Sequence, residues 1–241
     1  MTADQKPVYL SGLALNPNAS LETRRIGRDR QPVLIVDDAL VDADAMVDFA
    51  CAHASFDPPS PPSQYPGRIA RLPANYVRDV LGGLRLALAD LFGFRKDPRS
   101  FASGFYGLTT LQQAAMAPEQ VIPHADAVRP DAYATVHFLN AADYGGTAFY
   151  RHKATGLEVV TPLNSEACHQ IRNAELEAHK GQGHGALQAL YEEIAYIEPV
   201  FNRLILYRAS QLHSARLADV DDLPDDPRTG RLTANLFVNI G

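Results

Sequence analysis

Three short segments in the second half of the chain limit its fold most. Tyr133-Ala134-Thr135-Val136-His137-Phe138-Leu139, Leu204-Ile205-Leu206-Tyr207 and Leu232-Thr233-Ala234-Asn235-Leu236-Phe237-Val238 are dense in β-branched, aromatic and aliphatic residues. Turn formers bound them, Asn140 to Gly146 after the first and Asp226-Pro227-Arg228-Thr229-Gly230 before the last. Segments of this kind are strands of a sheet. Alternation along a strand groups Tyr133, Thr135, His137 and Leu139 on one face, opposite Ala134, Val136 and Phe138. On the last strand it groups Arg231, Thr233 and Asn235 opposite Leu232, Ala234 and Leu236. A further short apolar run, Val121-Ile122-Pro123, ends at His124-Ala125-Asp126, and His213 follows the Leu204–Tyr207 strand.

His124, Asp126 and His213 are the residue types of a mononuclear iron site. Two imidazoles and one carboxylate on one face of Fe(II) leave three positions open, enough for a chelating organic acid and dioxygen. The tripeptide alone proves little, because with 8 His in 241 residues one His-x-Asp is what composition delivers by chance. Each residue also has a plainer reading. His124 and Asp126 fit a solvated turn ahead of Pro130, His213 an ordinary strand end, Arg231 the start of a surface strand, and His137 a satisfied core histidine. Their positions beside the strands carry the metal reading.

The order of the pieces resembles a known family. His124-x-Asp126, then Thr135-Val136-His137-Phe138-Leu139-Asn140, Gly145-Gly146-Thr147-Ala148-Phe149, Asn202-Arg203-Leu204-Ile205-Leu206-Tyr207, His213 and Arg231-Leu232-Thr233 is similar to the 2-oxoglutarate and Fe(II)-dependent dioxygenases, nearest their prolyl-hydroxylase-like branch. The resemblance spans about residues 100 to 241. It implies a mainly β fold with flanking helices, built on a double-stranded β-helix (a jelly-roll, cupin-like core). It also implies His124, Asp126 and His213 as iron ligands and Arg231 as anchor of the cosubstrate's distal carboxylate. Thr233 on the Arg231 face would add a hydroxyl to that carboxylate. His137, where prolyl hydroxylases commonly carry a Tyr, is a third cosubstrate contact, since a neutral imidazole can donate one hydrogen bond.

The implied activity is hydroxylation of a C–H bond on a small molecule, amino acid or peptidyl side chain, with Fe(II), 2-oxoglutarate and dioxygen consumed as cofactor and cosubstrates. Asp126 favours hydroxylation over halogenation, because related halogenating enzymes carry a small residue there to admit chloride. Charge supports the set: Fe(II), Asp126 and a 2-oxoglutarate dianion leave one net negative charge, which Arg231 cancels, so the assembly can be buried. A planar guanidinium also receives a carboxylate through two parallel hydrogen bonds, which an ammonium cannot. Two alternatives stand beside this: a non-catalytic jelly-roll protein binding a sugar or small molecule, and a cupin-type metalloenzyme without 2-oxoglutarate. The first does not need the full set of His124, Asp126, His213 and Arg231, and the second does not need Arg231.

Length and composition fit one oxygenase domain over residues 1–241, at 46% hydrophobic. Cys51 and Cys168 have no zinc-type spacing and read as free buried thiols. The N-terminus lacks an apolar signal core and no stretch approaches 18 apolar residues, so a cytoplasmic protein without membrane association is expected. A net charge of −6 argues against general nucleic-acid affinity. Arg24 to Arg30 reads as a solvated surface near a turn, and the acidic run from Asp219 to Asp226 as a solvated loop.

The first 99 residues read as a scaffold of one strand and helices. Pro32 to Asp38 predicts a strand, and Asp42 to His53 a helix with Ala45, Met46, Phe49 and Ala50 as its stripe. Val77, Leu81, Leu84, Leu88 and Leu91 mark one helix over Asn75 to Leu91, and Phe101 to Leu108 a strand. An insertion over about residues 150–200 predicts a helical hairpin: Ser165 to Lys180, stopped by Gly181 and Gly183, then a helix on Leu187, Leu190, Tyr191, Ile194 and Ile197. Such a hairpin fits a lid or a homodimer contact. Its His169, His179 and His184 match no compact metal motif and read as exposed. The substrate pocket is expected between this insertion, the Pro-rich Phe56 to Gly67 segment and strand residues such as Tyr106.

Overall fold

The computed structural model describes residues 7–59, 65–93, 102–220 and 222–239. Among the described residues it is mainly β, with ten strands in two antiparallel sheets. The larger sheet has the order β1 (Ser20–Ile26), β2 (Gln31–Asp37), β8 (Leu204–Arg208), β5 (Ala132–Phe138), β10 (Arg231–Asn239), β4 (Ala102–Thr109), β3 (Gly67–Ala70). The smaller has β7 (Tyr191–Ile197), β6 (Thr147–His152), β9 (His213–Ala215). The helices are α1 (Asp44–His53), α2 (Tyr76–Gly83), α3 (Arg85–Phe92), α4 (Pro118–Val121), α5 (Ser165–Ala178) and α6 (His184–Gln188).

The larger sheet is covered on both faces, which is why β2, β5 and β8 read as near-continuous apolar runs. One face packs against the helices: Leu34, Val36, Leu204, Leu206, Leu232, Ala234 and Leu236 share a core with Met46 and Phe49 of α1 and with Tyr76, Leu81 and Leu88. The other face turns to the small sheet: Val33, Ile35, Ala134, Phe138, Ile205 and Tyr207 pack with Phe149 of β6 and Ile197 of β7. Strand β10 puts Leu232, Ala234, Leu236 and Val238 on the helix side. Its alternate residues Arg231, Thr233 and Asn235, all buried, therefore look into the space between the sheets. A buried polar row in a central strand is where a ligand can be received.

The three strands that anchor the sequence reading lie at β5, β8 and β10 as expected, and α1 carries Met46, Phe49 and Ala50 buried, with Val47 added. The helix over Asn75 to Leu91 is two helices meeting at Leu84, after Gly82 and Gly83, the weakest helix formers in the segment. The Phe101 to Leu108 strand is seen as Ala102–Thr109, Phe101 lying outside the described residues. Of the Pro-rich segment, residues 60–64 lie outside them too.

Two segments fold differently from the sequence expectation. Arg24 to Arg30 is not simply a turn: Ser20–Ile26 is an edge strand paired with β2, and the turn's amides of Arg28 and Asp29 donate to the buried Glu158 carboxylate at 3.1 and 3.2 Å. The second helix of the expected hairpin is absent. Tyr191–Ile197 is strand β7, paired with β6, and only His184–Gln188 before it is helical. A bulge is the physical reason: Phe149 faces Ala195 and Tyr150 faces Glu193, so Ile194 is left over. That extra residue breaks the period of two and leaves a spacing that imitates a helix. The cysteines differ as well, Cys51 being exposed and Cys168 half-buried, both free. No helix among the described residues is long and apolar enough to cross a membrane.

Leu206 sits fully buried where the larger sheet meets the helices. Leu206→Ala is expected to lower unfolding free energy by about 2–5 kcal/mol, read as a shifted urea midpoint with unchanged slope.

Candidate metal centre

His124, Asp126 and His213 meet at one point, with ligand atoms all within 4.8 Å of one another, and they are the one such group among the described residues. Asp126 Oδ1 lies 3.5 Å from His124 Nε2 and its Oδ2 lies 3.4 Å from His213 Nε2. The two rings are 4.7 Å apart between centroids. Local backbone bonding makes this meeting possible. The His124 amide donates to the His213 carbonyl and the His213 amide to the His124 carbonyl, each at 2.9 Å. The Asp126 and Ala127 amides both donate to the Ala209 carbonyl, at 2.8 and 3.2 Å. The His-x-Asp turn is thus stitched to the chain leaving β8 and entering β9.

The donor set suits a divalent ion. His213 Nδ1 is 2.9 Å from the Gln211 carbonyl, which fixes the proton on that nitrogen and turns the Nε2 lone pair to the centre. The ring is buried against Tyr207, 4.8 Å away, and Phe149, 6.4 Å away. Burial alone would raise the Asp126 carboxyl, yet His213 and His124 beside it hold it well below the usual carboxylate range. His213 feels the same pair from the other side: burial pushes it down, and Asp126 pushes it up by more. An ion taking this site displaces a proton from His213, so its affinity rises with pH.

Arg231 lies 3% exposed at the start of β10. Its Nε donates to the Gly145 carbonyl at 3.0 Å, and its two amino groups reach Thr109 Oγ1 at 3.2 Å and the Gly146 carbonyl at 3.3 Å. Both glycines are required there. Gly145 has φ +91°, and a Cβ on Gly146 would stand 1.9 Å from the Ile197 carbonyl oxygen. No carboxylate among the described residues lies within 4.0 Å of this guanidinium, although burial of its charge is costly enough to lower its pKa. Thr233, 1% exposed, shares the inward face, accepts from Asn235 Nδ2 at 2.9 Å and lies 3.4 Å from the Gly107 carbonyl.

His137 is not brought to this site. It pairs across the ladder with Ala234 while Thr233 pairs with Phe138, so it faces the helices and not the space that holds Arg231 and Thr233. There it is fully buried, its Nδ1 accepting from the Tyr76 hydroxyl at 2.9 Å and its Nε2 donating to Asn202 Oδ1 at 3.1 Å. The core-histidine reading is the one realised. Tyr106 is likewise not a pocket residue. It is buried on the helix side and donates to the Met46 carbonyl at 2.9 Å.

A cleft of about 290 Å³ opens beside His124, which is both a triad member and part of its wall. One face of α5 covers it, and Leu157, Val160, Tyr191 and Leu212 supply apolar wall. The inserted segment does line a pocket, through α5 and the chain on either side of it. His152 and Glu175 are paired in its wall at 2.8 Å, with Thr155 Oγ1 on the other ring nitrogen at 2.9 Å. Sequence reasoning missed that pair and Arg172, since 23 residues separate His152 from Glu175.

A family model described as "Family of unknown function (DUF6445)" matches residues 17–238. The chain belongs to the DUF6445 family. No curated protein matches it. Among solved structures it is similar to HygX from Streptomyces hygroscopicus with nickel and 2-oxoglutarate bound, at 11% identity over 88% of this chain and 84% of that one, TM-score 0.41. It is similar to an N-substituted L-amino acid dioxygenase from Burkholderia ambifaria AMMD at 14% identity, 87% and 82% coverage, TM-score 0.40. AviO1 from Streptomyces viridochromogenes Tue57 matches at 10% identity, 92% and 89% coverage, TM-score 0.38. With TM-scores below 0.5, these likenesses carry no functional weight.

Burial lowers the His137 pKa to about 4. In the unfolded chain an ordinary histidine titrates near 6.5, so between about 4 and 6.5 the unfolded state binds more protons and stability falls as pH falls. His137→Gln is expected to flatten that decline in urea titrations run from pH 7 to pH 4.5, whatever its cost at neutral pH.

Proposed function

We propose that the protein is an Fe(II)- and 2-oxoglutarate-dependent dioxygenase that hydroxylates a C–H bond, with His124, Asp126 and His213 as ligands, and that its two facing sheets form a double-stranded β-helix. The single observation that carries this is the pairing of an open three-ligand centre with a buried guanidinium that has no carboxylate of its own. Neither half explains the other without a guest that chelates at one end and is anionic at the other. A dicarboxylate such as 2-oxoglutarate is that guest.

The bound iron would supply activation of dioxygen coupled to decarboxylation of 2-oxoglutarate to succinate. The chain's own residues do the rest. His124, Asp126 and His213 fix three ligand positions on one side. Arg231 would meet the distal carboxylate with the N–H groups left over by its bonds to Thr109 Oγ1 and the Gly146 carbonyl, with the Thr233 hydroxyl on the same strand face. Phe149 and Tyr207 pack the His213 ring from behind and keep water out. Asp126 supplies the negative charge that, with the guest's two, is balanced by the ion and Arg231. The observation that speaks against a cosubstrate-free metalloenzyme is Arg231, a charge such a site would bury without use.

Anaerobic addition of Fe(II) and 2-oxoglutarate is expected to give a visible metal-to-ligand absorption band, lost in His213→Ala. Arg231→Ala is expected to weaken 2-oxoglutarate binding by about 2–5 kcal/mol while leaving affinity for the ion itself nearly unchanged. Equal cosubstrate affinity in wild type and Arg231→Ala would remove the anchor assignment.

A further inference from the structure

The cleft under α5 has a charge that the triad does not use. Arg172 lies in its wall, and its Nε–H is buried with no hydrogen-bond partner. Among the described residues the same guanidinium reaches the Glu119 carbonyl alone, at 3.4 Å. Glu175, the one carboxylate in the wall, already has a partner in the His152 ring at 2.8 Å. What the cleft leaves unmet is a guanidinium donor, and a buried donor with no acceptor is a standing cost that an anionic oxygen removes.

The geometry points to a recognition site for a small molecule that places a carboxylate on Arg172 and lays its carbon chain along Leu157, Val160 and Leu212. His124 borders the same space, so the chain's far carbons come beside the proposed iron. This rests on the oxygenase reading and narrows it: the substrate class is an organic acid with an apolar chain, oxidised away from its carboxylate. A peptide passing along the surface does not fit as well, because α5 roofs the cleft and the wall residues Val160 and Leu212 are tied down. Val160 donates to the Ser210 carbonyl and Leu212 to the Glu158 carbonyl, both at 2.8 Å, and Glu158 is itself held by Arg151 at 2.7 Å.

The test compares hexanoate with its neutral analogue hexanamide, titrated by calorimetry into protein saturated with Zn(II) and 2-oxoglutarate, so that Arg231 is already occupied and no turnover occurs. Hexanoate is expected to bind at least about tenfold more tightly than hexanamide, as charge-assisted bonding to a guanidinium allows. R172Q is expected to abolish that preference while its circular-dichroism melting curve stays that of the wild type. Equal affinities in the wild type, no binding of either probe, or a preference that survives R172Q would each overturn the assignment. The metal-free protein is titrated in parallel. A hexanoate preference that appears there, in protein that takes up no Zn(II), supports the cleft and sinks the oxygenase reading, whereas intact Zn(II) uptake without the preference sinks the cleft alone.

Discussion

A guanidinium held between two sheets organises much of this molecule. Arg231 is buried at the head of β10 and its donors go to two carbonyls, the Thr109 hydroxyl and the Tyr65 side chain. To bring those carbonyls close, the chain before β6 needs two glycines in succession, one with positive φ and one pressed against the Ile197 carbonyl. Beside it the inward row of β10 is Thr233 and Asn235 and not aliphatic, although the strand is buried on both sides. A fold under selection for stability alone would fill that row with Val or Leu, because a buried charge without a counter-ion opposes folding. An anion bound there, as proposed, would offset that cost.

The three candidate ligands obey a different constraint. His124 and His213 come from distant parts of the chain and are locked by two reciprocal backbone bonds, so their mutual position does not depend on side-chain contacts. Asp126 is held by the Ala209 carbonyl through its own amide. Backbone bonds of this kind keep the centre assembled before an ion arrives, and the preorganised donors then lose little freedom on binding. The cleft beside His124 is roofed by α5, whose attachment runs through Glu175 to His152 on β6. The small sheet thus carries His213, cleft wall and roof contact together, and the larger sheet carries Arg231.

The sequence made the strands at β5, β8 and β10 plain because buried strands are continuous runs of branched and aromatic residues with clear turns around them. It did not reveal β1, Ser20-Leu21-Glu22-Thr23-Arg24-Arg25-Ile26, whose exposed edge position leaves it no apolar pattern. Nor did it reveal β7, because the extra residue Ile194 shifts the apolar spacing from a strand's toward a helix's. His137 shows the limit in the site itself. Alternation correctly set it opposite Phe138, but which face of β5 turns to the small sheet depends on the register with β10.

What the chain alone determined is chemical identity: two imidazoles, a carboxylate and a guanidinium placed beside strand ends, and an alternating strand that puts Thr233 with Arg231. These follow from local rules of side-chain chemistry and backbone period. What only the tertiary structure decided is convergence. The His124–His213 bridge, the glycine carbonyls at Arg231, the Tyr76 and Asn202 partners that withdraw His137 into the core, and Arg172 over the cleft all join segments far apart in the chain. Such contacts exist only when the sheets are paired in register and packed face to face, and no window of neighbouring residues contains that information.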